Sequence, residues 1–233
     1  MRFLYFVIFA TIIGTTSHSA ASEATAFKAF TVGESGSSLQ RNPGVNCKPP
    51  LARPLTKDLT GEVRVLGKKM AELDATQDGD LICTVRSQTI GGQPIAKTVL
   101  KLYSDRLLQI ELSLKFKRVR RQIRSQYYPS APEIDQIFDT LKGKYGSPSD
   151  QRLWYADCSC FVIISNWKAH DGTTITMERR EESASEAKVV FTASEYKKVY
   201  ETRLIARNEA AHEYHKAVRR NAEEKRTNNL RDL

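Results

Sequence analysis

The sequence lacks the short motifs that mark the common catalytic sites. It contains no G-x-S-x-G elbow, no Walker loop and no dinucleotide-binding fingerprint. Histidine, the usual base for a Ser or Cys nucleophile, occurs only at His18, His170, His212 and His215. His18 falls in the N-terminal leader, and no nucleophile is paired with the other three by any recognisable spacing. The sequence therefore favours a non-catalytic protein and implies no cofactor.

Long apolar runs are also missing, except at the very start. After Arg2, the run FLYFVIFATIIG is too short for a membrane-spanning helix, and the small residues Ser19 and Ala21 occupy the −3 and −1 positions of a cleavage site. We interpret residues 1–21 as a secretory signal peptide. No Cys follows the cleavage site to carry a lipid. The sequence thus predicts an exported protein, periplasmic or secreted, with no transmembrane segment after cleavage.

Cysteines are few, and their number suits an oxidising compartment. The four are Cys47, Cys83, Cys158 and Cys160, and they allow three pairings. We expect a Cys47–Cys83 disulfide, which would join the N-terminal segment to the sheet. Cys158 and Cys160 either bridge each other or remain thiols, and they lack the C-x-x-C spacing of a redox pair.

Residues 132–145 carry the clearest helix pattern. Pro132 suits a first helical turn, Gly146 can take the left-handed conformation that ends a helix, and Pro148 prevents continuation. One apolar face repeats at the helical period through Ile134, Ile137, Phe138, Leu141 and Tyr145. This pattern predicts a helix that packs on a sheet.

Strand patterns lie on both sides of that helix. Residues 82–90, 96–103 and 107–116 precede it, and residues 161–167, 173–177 and 188–192 follow it. The third strand alternates strictly, with one face formed by Leu108, Ile110, Leu112, Leu114 and Phe116. Such alternation is typical of antiparallel strands with one buried face, and Asp171-Gly172 is a hairpin turn signal.

The predicted fold class is α+β: an antiparallel β-sheet (β-hairpin, helix, β-meander) with one packed central helix and a long C-terminal helix. We divide the chain into a signal peptide, an extended N-terminal segment, an α+β domain and a charged helical tail, at residues 1–21, 22–60, 61–193 and 194–233. Residues 61–73, with alternating Val63 and Val65, predict a strand or a strand leading into a turn.

The tail contains neither Pro nor Gly and is rich in charge. Its apolar positions form a thin seam through Tyr200, Leu204, Ala211, Tyr214 and Val218. The seam is too poor in large aliphatic residues for a coiled coil. We expect an exposed helix that docks near its start.

The densest charge is the segment KFKRVRRQIR, residues 115–124, which contains six cations and no acid. Its candidate anion-binding residues are Lys115, Lys117, Arg118, Arg120, Arg121 and Arg124. Because Phe116, Val119, Ile123 and Tyr127 follow helical spacing, the segment is interpreted either as a basic amphipathic helix or as a solvated connection. The net charge is +9, or +8 without the leader, whose only charged residue is Arg2. This excess favours an anionic lipid or polyanion as partner.

Three other groups of residues have a structural interpretation. Residues 74–80, DATQDGD, match a calcium loop incompletely and are read as a polar turn before a strand. His212 and His215 lack a third metal ligand and are read as surface residues. Trp154, Trp167, Tyr155 and Phe161 are read as core, with an exposed binding face as the alternative.

The order of several segments resembles a known group of proteins. These segments are CTVRSQTIGGQP, DRLLQIEL, KYGSP and W-x-x-x-D-G-T-T-I-T-M, within residues 27–192. Together they resemble small exported, periplasmic proteins of Gram-negative bacteria that are mostly uncharacterised. The implied module is a layered α/β unit, similar in outline to outer-membrane-assembly lipoprotein and β-lactamase-inhibitor-like folds. The resemblance supplies no site residues.

The sequence supports a non-catalytic exported protein that binds a protein or an anionic envelope component. Two other functions stay open, an envelope hydrolase and a secreted basic effector. Nucleic-acid binding is not firmly implied, and no pattern indicates the oligomeric state.

Overall fold

The computed structural model describes residues 26–27, 30–52, 61–86, 88–116, 119–123, 126–130, 132–156, 160–180 and 186–231. The helices in these ranges are α1 (Gly36–Gln40), α2 (Gly61–Thr76), α3 (Pro132–Tyr145) and α4 (Tyr196–Arg231). The first strands are β1 (Ala26–Phe27), β2 (Phe30–Thr31), β3 (Val45–Lys48), β4 (Leu81–Val85), β5 (Thr89–Ile90), β6 (Gln93–Pro94) and β7 (Lys97–Tyr103). The remaining strands are β8 (Arg106–Lys115), β9 (Val119–Ile123), β10 (Gln126–Ser130), β11 (Asp150–Ala156), β12 (Cys160–Lys168), β13 (Thr174–Arg180) and β14 (Glu186–Thr192).

An eight-stranded antiparallel sheet organises the molecule. Its strand order is β11-β12-β13-β14-β8-β7-β4-β3, and the short pairs β1–β2, β5–β6 and β9–β10 stand outside it. With α3 on this sheet and α4 at the end of the chain, the predicted α+β class is confirmed.

The hydrophobic core lies between α3 and one side of the sheet, which we call the inner face. From α3, Ile134, Ile137 and Leu141 enter the same buried cluster as residues of β7, β8, β13 and β14. Burial of each such side chain stabilises the fold by about 1.5–3 kcal/mol. The helix has the predicted limits: Gly146 has φ +82° and donates its N–H to the Lys142 carbonyl at 2.9 Å.

The strict alternation predicted for β8 fails at Leu108. In the pairing with β7, Gln109 lies opposite Lys101 and Leu107 opposite Leu102, so Leu108 is the extra residue of a bulge. Leu107 therefore joins the inner core, while Leu108 packs in a second cluster with the start of α4. We call this opposite side of the sheet the outer face.

Residues 61–73 form a helix, so the strand predicted there is wrong. The alternation of Val63 and Val65 is coincidental, because Val63, Gly67 and Ala71 repeat at helical spacing and are buried. Their partner is α4, where Ala210 and Ala217 are buried. Small residues on both helices allow a close approach. We call this arrangement the helix pair.

Ion pairs show that the two helices run antiparallel. Glu62 at the start of α2 binds Arg220 at 2.9 Å, whereas Asp74 near its end binds Arg207. Along α4, Tyr196, Arg203, Ala210 and Ala217 follow seven-residue steps. The docked part of α4 is thus longer than the predicted contact near its start.

The N-terminal part of the chain belongs to the same core. Phe27, Phe30 and Leu39 are buried with the inner-face residues. Strand β3 forms one sheet edge, and its Cys47 lies opposite Cys83 of β4. These two residues form the predicted disulfide, with Cα atoms 3.9 Å apart. Cys158 lies outside the described residues, as does the side chain of Cys160.

Removing the disulfide tests its contribution to stability. The bridge closes a sequence separation of 36 residues, so the chain-entropy relation gives about 3–4 kcal/mol. We expect Cys47→Ala/Cys83→Ala to lower the free energy of unfolding by this amount in urea titrations. Cys47→Ala alone should cause nearly the same loss, because one sulfur cannot form the bridge. A loss near zero in both variants would contradict this role.

The close approach of the helix pair predicts intolerance of larger side chains. Ala217 is buried against α2, whereas Ala222 lies exposed one and a half turns later. Ala217→Leu should lower the free energy of unfolding by about 1–3 kcal/mol through overpacking. Ala222→Leu should leave it nearly unchanged, since the two residues have similar helix propensity. Equal effects in urea titrations would argue against the packing described.

Candidate functional site

The basic segment folds as a β-hairpin. Strands β9 and β10 pair antiparallel, with Arg121 opposite Tyr128 and Gln122 opposite Tyr127. The amphipathic helix considered for residues 115–124 is therefore wrong. Val119, Ile123 and the two tyrosines are strong strand formers, and this local preference prevails over a helical spacing that arose by coincidence. We call β9–β10 the basic hairpin.

The structure describes three of the six predicted anion-binding residues. Lys115 ends β8 with an exposed side chain, and Arg120 and Arg121 lie in β9. Lys117, Arg118 and Arg124 are outside the described residues. Strand β9 begins four residues after Lys115, so the basic hairpin starts within about 14 Å of it.

A groove on the outer face begins at Lys115. It has a volume of about 420 Å³ and is lined in part by Lys115, Arg180, Lys188, Glu178 and Glu186. Lys115 and Glu186 form an ion pair at 3.4 Å across β8 and β14. We call this feature the outer groove. It brings Arg180 and Lys188, which are distant in sequence, next to the predicted basic segment, and no local sequence signal marks them.

An ion-pair network lies beside the outer groove. The Glu111 carboxylate lies 2.7 Å from the Lys101 ammonium and 3.2 Å from that of Lys188. Lys101 is also 3.6 Å from Asp78. The network links β7, β8 and β14 to the segment that follows α2. One face of β8 alternates Gln109, Glu111 and Ser113, and this polar row was the sequence signal for it.

Both central members of this network have shifted pKa values. Burial raises the pKa of Glu111, but the hydrogen bond and charge of Lys101 and the charge of Lys188 outweigh it, so the pKa lies below the ordinary 4.5. Burial lowers the pKa of Lys101, but Glu111 and Asp78 outweigh it, and the pKa lies above the ordinary 10.5. Each group is thereby held in its charged form.

The acidic residues of DATQDGD bind cations of the protein itself. Asp74 pairs with Arg207, and Asp80 pairs with Arg203 at 2.6 Å. Burial raises the pKa of Asp80, but Arg203 and the Ser104 N–H outweigh it and hold that pKa below its ordinary value. Residues 74–76 are the last residues of α2. The turn predicted for residues 74–80 therefore begins only after Thr76.

Arg203 also joins α4 to the outer face. Its guanidinium lies 4.8 Å from the ring centre of Tyr103 and donates to the Thr76 carbonyl. Tyr196 packs edge-on against the same ring at 5.5 Å. Burial and Tyr196 raise the pKa of Tyr103, so its hydroxyl stays protonated and donates to the Gln77 carbonyl. These contacts have a structural role.

The aromatic residues near Cys158 divide between core and surface. Trp167 is 1 % exposed, and its indole N–H donates to the Gly146 carbonyl at 2.9 Å, as a core residue should. Trp154 is 64 % exposed, so the core assignment is wrong for it. It lies on β11, which among the described strands pairs only with β12.

The His, Cys, Asp and Glu side chains of the described residues form no metal site. Within them, no group of three or more His, Cys, Asp or Glu side chains is placed to hold a metal ion, and His212 and His215 are exposed on α4. None of the helices in these ranges combines the length and apolar character needed to cross a membrane. At this end of the outer face the described residues bring together three cations and two carboxylates, next to the basic hairpin.

The ion-pair network predicts a defined pH dependence. Because the folded-state pKa of Glu111 is lowered, its contribution is complete above the unfolded value near 4.5 and disappears as pH falls through the folded pKa. Lys101, with a raised pKa, contributes below 10.5 and loses this contribution as pH rises through its folded value. Glu111→Gln should lower the free energy of unfolding by about 1–2 kcal/mol at neutral pH. It should also weaken the dependence of this free energy on pH at both acidic and alkaline pH.

Urea titrations between acidic and alkaline pH measure this profile. The control is Glu224→Gln, which makes the same charge change at an exposed position of α4. It should leave the profile unchanged. Parallel profiles for wild type and Glu111→Gln would show that the network does not couple stability to pH.

Comparisons with known proteins give no relative to support or correct these assignments. No protein-family model matches the chain, and no curated protein or solved structure is similar to it beyond the level of chance.

Proposed function

We propose that this is an exported, non-catalytic protein that attaches to an anionic component of the cell envelope through residues 115–124. The surface it recognises carries closely spaced phosphates, and the head groups of anionic lipids are the form to which we commit. Binding depends on charge at the basic hairpin, and the outer groove adjoins that hairpin at Lys115.

The observation that carries this proposal is the fold of the basic segment. Six cations and no acid occupy residues 115–124. Strand pairing holds part of this segment as a defined hairpin, with Arg121 opposite Tyr128. A hairpin whose sequence combines Arg and Tyr suits the boundary between head groups and water, because Tyr has an apolar ring and a polar end. Each cation of a polybasic patch near an anionic membrane contributes about 1 kcal/mol to the free energy of binding.

Two features support export. The leader at residues 1–21 has the charge, apolar run and cleavage site of a signal peptide. The Cys47–Cys83 disulfide is of the kind that persists in the periplasm or outside the cell. Both are consistent with an envelope surface as the binding partner.

Vesicle binding tests the proposal. The protein without residues 1–21 should sediment with vesicles that contain phosphatidylglycerol and not with neutral phosphatidylcholine vesicles. Replacing Arg118, Arg120 and Arg121 by Gln should weaken binding about 100-fold, since three cations contribute about 1 kcal/mol each. Raising the salt concentration should weaken binding of the unaltered protein in the same direction.

A matched variant separates local from overall charge. Arg219, Lys225 and Arg226 are exposed on α4, and their replacement by Gln removes the same charge far from the hairpin in sequence. This variant should keep most of its affinity. Equal losses in the two variants would reduce the effect to net charge and refute the assignment to the basic hairpin. Two results together would identify a polyanion as the ligand instead. Soluble polyphosphate would release the protein from vesicles, and the protein would not bind vesicles at physiological salt.

A further inference from the structure

Strand β11 combines an open edge with two exposed hydrophobic side chains. Among the described strands it pairs only with β12, so one side of its backbone has no strand partner there. Leu153 is 63 % exposed and Trp154 is 64 % exposed. An edge of this composition is a template for the addition of another strand.

The two hydrophobic residues lie on opposite faces of the sheet. Leu153 is in register with Ile163 and Arg179, and Arg179 contacts α3 through Asp135 on the inner face. Trp154 is in register with Val162 and Arg180, which line the outer groove. A partner laid against one face would cover only one of the two residues. A strand added at the edge covers both, because its own side chains alternate between the faces.

The edge is held firmly in place. The Ser149 N–H donates to the Asn166 carbonyl at 2.8 Å, and the Gln151 side-chain amide donates to the Ser165 hydroxyl at 3.2 Å. All residues from Asp150 to Ala156 are in register with β12. No Pro interrupts the strand, so every backbone N–H of β11 is retained.

We propose that β11 pairs antiparallel with β11 of a second copy of this chain, with Leu153 opposite Leu153 of that copy. This register pairs the strands over their full length, residues 150–156. It places Arg152 opposite Trp154 of the other copy, and the symmetry repeats this pair. A guanidinium beside an indole is a favourable cation–π arrangement, and the two Leu153 side chains cover each other on the inner face.

Neighbouring registers are less suitable. Directly opposed residues of paired strands lie on the same face of the sheet. In a symmetric pair of β11 strands, the next allowed registers are therefore centred one residue earlier or later. Centring the pair on Arg152 or Trp154 shortens the overlap to residues 150–154 or 152–156. The first of these also sets two guanidinium groups against each other, and like charges directly opposite destabilise a strand pair.

The pairing has a consequence for surface binding. A two-fold axis perpendicular to the sheet keeps the outer faces of both copies on the same side. The two outer grooves would then face in one direction, and two linked binding regions bind a surface more tightly than one. The dimer itself depends on β11 alone and not on the proposed anionic ligand.

Sedimentation velocity on the protein without residues 1–21 tests the pairing, over about 1 to about 200 µM. We expect a reversible dimer that Trp154→Lys weakens at least tenfold, because the new Lys lies opposite Arg152 of the other copy. Trp154→Glu should retain the dimer and make it sensitive to salt, because Glu lies opposite the same Arg. The control Ile205→Lys, at an exposed residue of α4, should have no effect.

The charge pair makes the test specific to this register. A monomer at every concentration would overturn the proposal. So would a dimer that Trp154→Lys and Trp154→Glu weaken equally, or one that Ile205→Lys disrupts as strongly. Circular dichroism on each variant establishes that it is folded, as the exposure of the substituted residues leads us to expect.

Discussion

The burial of the apolar row of β8 against α3 is the contact on which the rest of the structure depends. Ile110, Leu112 and Leu114 occupy the middle of the eight-stranded sheet, and the capped helix covers them on the inner face. Strands are added on both sides of β8, so each depends on this central layer for its register. The disulfide, the helix pair and the basic hairpin are all attached to this sheet, and α3 forms the hydrophobic core with it.

The bulge at Leu108 connects this core to the second helical layer. By turning Leu108 to the outer face, it gives Tyr196 and Val199 of α4 an apolar surface on which to dock. Arg203 then reaches the Tyr103 ring and Asp80, which fixes the direction of α4. One extra residue in β8 therefore decides where a helix of 36 residues leaves the sheet.

What could be predicted from the sequence was the part of the fold encoded by local signals. The limits of α3 were predicted because Pro132 in the first turn, the apolar stripe and the terminal Gly146 all lie within residues 132–146. The helix pair was missed because α2 depends on partners in α4 that are more than a hundred residues away, such as Arg220 for Glu62. In the basic segment, chance helical spacing masked strand-forming residues. The positions of the cations could be read from the sequence, but their meeting with Arg180 and Lys188 depends on strand pairing.

The two edges of the sheet are protected to different degrees. Strand β3 is only four residues long and is covalently tied to β4, so it offers little backbone to another chain. Strand β11 is longer, and its Arg152 pairs with Asp150 at 2.7 Å while the Arg152 side chain stays 75 % exposed. The same sheet therefore closes one edge and leaves the other suited to association, while its cations gather at the outer face between them.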